Sequence, residues 1–202
     1  ETIEADFLIF AAPMTEFPRI VADATSFERE VASSLTSVGL CVHLLRTKKK
    51  DKIEESSLTF YPESLQSKYT TKPSGEVYAE RNSIRAYNGA KDSFKDRFVV
   101  TYQYFPDPVK DMEGATKAAC DFITNPKVTV NATPGEPVLI YRKNWNYFPH
   151  FNQKAIQNFM PWKVFDSQGA NRTWYIGSSV SFESVEDVTR YNNQLLYHNF
   201  AQ

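Results

Sequence analysis

Hydrophobic positions along this chain follow two rhythms, and their changes of period mark out the elements. The first apolar run, Phe7 to Ala12, is continuous and stops at Pro13. A run without alternation predicts a strand covered on both faces, as in a mostly parallel α/β sheet. Thr25 and Glu28 then form a capping box, with Phe27, Val31 and Leu35 following at spacings of four, so a helix is predicted over about residues 26–36. From Val38 to Arg46 the period drops to two. That predicts a strand with Leu40, Val42 and Leu44 on one face and Cys41, His43 and Leu45 on the other, and His43 reads as a residue of the less buried face. The charged segment 47–55 predicts a solvated turn, and residues 56–90 predict short strands and turns.

The second half repeats the alternation of types. Phe98 to Phe105 is β-rich and ends before Pro106, which predicts a strand. Val109, Met112, Ala115, Ala119 and Phe122 carry a helical period over residues 109–123. Two strands are predicted next, Lys127–Val130 and Pro137–Arg142, joined through Thr133-Pro134-Gly135-Glu136. An aromatic segment, Asn144 to Phe151, and two helical turns around Gln153–Met160 lead to Arg172–Gly177, a short strand closing on glycine. Ser184 and Asp187 make a capping pair, and Val185, Val188, Leu195 and Leu196 predict a last helix to about residue 198.

Composition removes several classes of function. The 202 residues are 42% hydrophobic and 23% charged, an ordinary globular balance. Lys plus Arg number 23 against 24 Asp plus Glu, which leaves no electrostatic footprint for nucleic acid or an anionic membrane. No apolar stretch is long enough to span a bilayer, and the acidic opening ETIEAD is unlike a signal peptide, so any export signal is expected to have been removed. Cys41 and Cys120 can either pair or remain buried thiols. Asn131-Ala132-Thr133 and Asn171-Arg172-Thr173 are glycosylation sequons, which point to a secreted or extracellular protein with Asn131 and Asn171 as the modified residues. The seven glycines form no dinucleotide turn or phosphate loop, and the three scattered histidines give no metal-ligand spacing, so no metal is assigned. The 29 aromatic residues, 15 Phe, 11 Tyr and 3 Trp, serve either to fill a core or to line a ligand cavity.

The strand ending at Gly177, followed by a loop and a capped helix, is a geometry that turns free backbone amides toward an anionic or electron-rich ligand. Its plainer reading is a strand-to-helix connection whose cap satisfies its own terminus. At these residues a resemblance enters. Trp174-Tyr175-Ile176-Gly177 followed by Phe182-Glu183-Ser184-Val185-Glu186 resembles the closing flavin-binding segment of FAD-dependent oxidoreductases of the amine oxidase type. Trp145, Tyr147, Phe148 and Pro149, and then Gln168, Gly169, Thr173, Trp174, Tyr175 and Gly177, are similar to motifs of a fungal and algal branch of that family. Ala5 to Pro13 is similar to the strand by which such proteins return from substrate domain to FAD domain.

The resemblance implies an α+β or α/β fold: the C-terminal part of an FAD-binding flavoprotein, with a mixed sheet of the substrate domain plus a strand and final helix of the FAD domain. It divides the chain into a returning strand (1–14), a substrate-domain-like region (15–165) and a closing strand and helix (166–202). FAD is the implied cofactor. Gly177 and Ser178 are expected near its ribityl or phosphate region, Ser184, Val185 and Glu186 at the ring edge, and Trp145, Tyr147 and Phe148 at the wall facing a small organic substrate. The Gly-rich turn that grips the adenosine half is absent, Ser178 stands where many relatives carry glutamate, and Val38–Arg46 holds no active-site lysine. A fragment, or one chain of a cleaved flavoprotein whose partner carries the N-terminal FAD-binding half, is therefore expected. Two rival readings are a non-catalytic interaction module on the same scaffold, and an unrelated secreted α+β domain with a sugar-binding surface at Trp145, Tyr147 and Trp174.

Overall fold

The computed structural model describes residues 3–48, 58–62, 75–83, 96–105, 109–129, 131–181 and 184–200. The charged segment at 49–55, most of 56–74, residues 84–90, and Phe182 and Glu183 lie outside the described residues. The chain is mixed α/β and divides into two compact units, residues 1–37 with 148–202, and residues 38–147. Residues 15–37 and 148–165 thus fold with the two termini. No helix among the described residues is long and apolar enough to cross a membrane.

The terminal unit pairs the two ends of the chain. Strand β1 (Leu8–Phe10) runs parallel to β7 (Thr173–Tyr175), with Leu8 opposite Thr173 and Phe10 opposite Tyr175. The strand is shorter than the apolar run that predicts it, and it is not covered on both faces: Phe10 is buried while Ile9 is 44% exposed. Short helix α1 (Phe17–Ile20) and α2 (Ser26–Ser34) follow, and α2 carries the predicted capping box. Glu28 closes that box by accepting from the Thr25 backbone N–H at 2.6 Å and the Thr25 hydroxyl at 2.8 Å. Its other oxygen accepts from the Tyr175 hydroxyl at 2.5 Å, so one buried carboxylate joins α2 to β7. Around it Phe10, Met14, Phe17, Val31, Leu35, Ala155, Met160, Val164 and Tyr175 make a continuous core.

The central unit is built on a five-stranded sheet in the order β3-β4-β5-β2-β6. Its strands are β2 (Leu35–Lys48), β3 (Leu58–Phe60), β4 (Val77–Ser83), β5 (Asp96–Phe105) and β6 (Val138–Phe151), and the unit boundaries fall within β2 and β6. Helix α3 (Met112–Thr124), capped by Asp111 through the Gly114 N–H at 2.8 Å, covers one face. There Ala119, Phe122 and Ile123 pack on Leu45, Val77 and Val99.

Several expectations need correction. Lys127–Val130 is no strand among its described residues: the Asn125 side chain accepts from Lys127 N–H at 3.0 Å and the Asn125 carbonyl from Val128 and Thr129 N–H, so the segment is a turn, with Val130 outside the described residues. The predicted Pro137–Arg142 strand is the start of β6, which continues through the aromatic segment to Phe151. The two helical turns after it separate into α4 (Gln153–Gln157) and α5 (Met160–Asp166), because Phe159 takes a left-handed conformation ahead of Pro161. His43 is fully buried, on the face beneath α3. Alternation alone could not rank the two faces of β2, since both carry apolar residues.

Two outcomes test these contacts. Glu28→Ala removes a box and a buried charged hydrogen bond together, and equilibrium urea denaturation should show a loss of about 2–4 kcal/mol. His43 is held neutral by burial, its pKa lowered to about 4, with the Arg142 charge acting in the same direction. The unfolded chain takes the proton first, so stability is whole above the ordinary value near 6.5 and falls as pH drops from there toward 4. The urea midpoint followed from pH 7 to pH 4 should decline in wild type and decline less in His43→Asn.

Candidate functional site

The closing segment is assembled by one glutamine. The Gln168 side chain accepts from Tyr175 N–H at 2.8 Å, donates to the Tyr175 carbonyl at 2.9 Å, and donates to the Tyr191 hydroxyl at 2.6 Å. It therefore fixes β7 and the final helix α6 (Val185–Phe200) together. Gly169 is required beside it, because its φ is +84° and an added Cβ would lie 3.3 Å from the Trp174 ring. Gly177, with φ +91°, passes so close to the chain that a Cβ would stand 3.2 Å from the Ala11 carbonyl oxygen. Its N–H donates to Asn192 on α6 at 3.3 Å, and its carbonyl accepts from Val180 and Ser181 N–H at 3.2 Å. The motif residues thus have identifiable mechanical work.

At the start of α6, the Ser184 hydroxyl accepts from Asp187 N–H at 3.0 Å and donates to the Asp187 carboxylate. Glu186 is turned along the helix to Arg190, 2.6 Å away. Val185 is 83% exposed and Glu186 is exposed as well, and the first-turn amides at these two positions have no acceptor within the helix. A 16-residue helix with an open first turn fits an electron-rich group, although Glu186 and Asp187 subtract from its dipole. Ser178 follows Gly177 in the turn and is half-buried.

Of the aromatic residues, Trp145 and Tyr147 belong to the central unit and Phe148 to the terminal one. Tyr147 stacks on Tyr104 of β5 at 6.0 Å, and Tyr104 stacks on Tyr78 of β4 at 4.3 Å with the rings 8° from parallel. Tyr78 also meets Tyr102 at 6.3 Å. These tyrosines lie on the sheet face opposite α3, joined by Leu40, Val42 and Leu44, all half-buried. Sequence reading found Trp145 and Tyr147 but missed Tyr78, Tyr102 and Tyr104; the spacing of Tyr102 and Tyr104 on one strand was the available signal. Burial among neighbouring tyrosines pushes the Tyr78 hydroxyl well above its ordinary range. Phe148 has a left-handed φ of +54° and packs against His150 at 5.7 Å.

The face beneath α3 mixes the apolar Leu45, Val77 and Val99 with polar side chains. His43, Glu80, Thr101 and Gln103 are fully buried there. Gln103 donates to the Gly75 and Ala115 carbonyls, and Glu80 accepts from the Thr129 hydroxyl at 3.1 Å and the Asn131 side chain at 2.5 Å. Cys41 lies 3.6 Å from His43 Nε2, yet burial pushes the thiol up to about 11 while His43 stays neutral, so the pair is a buried packing contact and not an activated nucleophile. Cys41 and Cys120 are both free thiols. A groove of about 620 Å³ between α3 and residues 133–137 carries Glu113, Lys117, Cys120, Asp121 and Glu136, with Lys117 and Asp121 paired at 2.6 Å across exposed helix.

With this geometry in hand, the chain can be set beside solved structures whose mixed α/β fold it shares. Solved structures similar to the chain include a CLA-producing fatty acid isomerase from P. acnes, at 22% identity and a TM-score of 0.73 over 98% of this chain and 42% of that one. A protein from Exiguobacterium sp. 255-15 assigned as a protoporphyrinogen oxidase matches at 11% identity and 0.61, over 98% and 42%. A putrescine oxidase double mutant from a redesign of cofactor binding matches at 11% and 0.51, over 96% and 43%. No family model matches the sequence, and no curated protein does. The chain spans about two fifths of the length of the structures it matches, and at these identities the likeness is one of fold.

The two sequons differ in accessibility. Asn131 already spends its amide on Glu80 and Thr59, and Thr133 is buried, donating to the Ile123 carbonyl at 3.4 Å, whereas Asn171 is exposed. Passed through a glycosylating secretory pathway, the folded chain should carry its glycan at Asn171 alone; intact mass before and after enzymatic deglycosylation checks this, and Asn171→Gln should abolish the difference.

Proposed function

We propose that this chain is the C-terminal part of an FAD-dependent oxidoreductase acting on an organic substrate. The observation that carries the reading is the parallel pairing of β1 with β7, closed by Gly177 and followed by the open first turn of α6. Two parallel strands with Ile9 and Phe7 exposed make an incomplete sheet, since parallel sheets are ordinarily buried on both faces and wider than two strands. A polypeptide supplying further parallel strands and the Gly-rich dinucleotide turn is the partner this implies, whether from the same precursor or as a separate chain. Bound FAD would accept a hydride from the substrate. In that assembly Gly177 and Ser178 would hold the cofactor's linker, and the amides of Val185 and Glu186, placed by the Ser184 cap, would be donors for its electron-rich edge. Trp145 and Tyr147, with the tyrosine row behind them, would form the substrate wall. Secretion and glycosylation at Asn171 belong to the same reading.

The second reading, a non-catalytic interaction module on this scaffold, draws support from the acidic first turn of α6, where Glu186 and Asp187 oppose the build-up of negative charge. Absorption spectra separate the two. Isolated under native conditions with whatever co-purifies, the protein should show flavin bands in the visible, and Val185→Pro, which removes one open amide at a position that tolerates proline, should weaken flavin retention by about tenfold. A colourless preparation that takes up no added FAD when the N-terminal half is co-expressed would leave the interaction module standing.

A further inference from the structure

Three buried oxygens on the face beneath α3 lack partners. Glu80 Oε2, Thr101 Oγ1 and Gln103 Oε1 have no hydrogen bond among the described residues, although all three side chains are fully buried. Two of the side chains are held by their other polar atoms: the second Glu80 oxygen accepts from Thr129 and Asn131, and the Gln103 nitrogen donates to the Gly75 carbonyl at 2.7 Å and the Ala115 carbonyl at 3.1 Å. Each group is thus fixed in place with half of its bonding capacity unused. Leaving such atoms dry costs free energy that no apolar neighbour returns.

Register brings the three together. Glu80 stands directly opposite Thr101 across β4 and β5, and Gln103 follows two residues along β5 on the same face. The ladder is irregular between Val77 and Ala79, next to Glu80 and opposite Gln103 and Tyr102, and a bulge at that point interrupts regular pairing. On the other side of Thr101 its register partner is His43, which is engaged with Thr116 at 3.2 Å and with Cys41 at 3.6 Å.

The count of donors and acceptors narrows the ligand. A carboxylate oxygen and an amide oxygen only accept, whereas the Thr101 hydroxyl donates as well. Their complement has two protons to give and a lone pair to receive one, and a buried water ordinarily makes about three hydrogen bonds. A metal ion is not needed for charge balance, because Glu80 already has a cation within range: burial lowers the Arg97 pKa and the Glu80 charge opposes that shift.

We infer that an internal water is bound between Glu80, Thr101 and Gln103, donating to Glu80 Oε2 and Gln103 Oε1 and accepting from the Thr101 hydroxyl. It ties β4 to β5 where the bulge breaks their backbone ladder. The purified chain, with anything that co-purifies, serves for the test, and no flavin enters the measurement. A high-resolution crystal structure should show one ordered water within hydrogen-bond distance of all three oxygens. In solution, relaxation dispersion of solvent deuterium counts the waters that tumble with the protein. Thr101→Val keeps the side-chain shape and removes the hydroxyl, so it should lose one water from that count, while Thr101→Ser keeps it. A Thr101 hydroxyl bonded directly to Glu80, a metal ion at this position held by on the order of six oxygens, or a count unchanged in Thr101→Val would each overturn the inference. Should Thr101→Val not fold, the wild-type crystal structure decides alone, and three oxygens without a shared water overturn the inference.

Discussion

The buried carboxylate of Glu28 is the constraint on which the terminal unit depends. A charge removed from water must find enough donors, and this one finds three: the Thr25 backbone, the Thr25 hydroxyl and the Tyr175 hydroxyl. The first two are local and set where α2 begins. The third comes from 147 residues away and holds β7 against the helix. A capping box that would otherwise be worth a fraction of the unit's stability becomes its long-range tie, and the surrounding Phe10, Phe17 and Tyr175 rings pack edge-to-face around it.

The central unit is organised by a different demand. Its helix rests on Leu45, Val77 and Val99 together with polar side chains such as Gln103, which donates to the Gly75 and Ala115 carbonyls, so the sheet under α3 is specified by hydrogen-bond geometry as well as by volume. Arg142 shows the same logic from the edge strand: it donates to the Met112 carbonyl, the Thr116 hydroxyl and Glu113, clamping the first turns of α3.

Local signals were legible in the sequence and cross-strand ones were not. The Thr25–Glu28 box and the Ser184–Asp187 cap were visible because the residues that bond are three apart. Gly177 was visible as the end of a strand, but the reason for it, the Ala11 carbonyl, lies at the other end of the chain. Of the aromatic wall, Trp145 and Tyr147 stood out as a cluster in one strand. Tyr78 and Tyr104 did not, since only the register between β4 and β5 stacks them. His43 was assigned to the wrong face for a related reason: the burial of a strand's face is decided by what packs on it. The turn at Asn125 was missed because Val128 and Val130 mimic alternation, while the Asn125 side chain captures the Lys127 amide and its carbonyl those of Val128 and Thr129.

The pairing of Leu8 with Thr173 has a consequence for the order of assembly during synthesis. Every strand of the central sheet has been made before β7 exists, so that sheet is free to form while the amino-terminal segment still waits for its mate. Until residues 173–175 clear the ribosome, Leu8–Phe10 lack the parallel partner that this chain itself supplies.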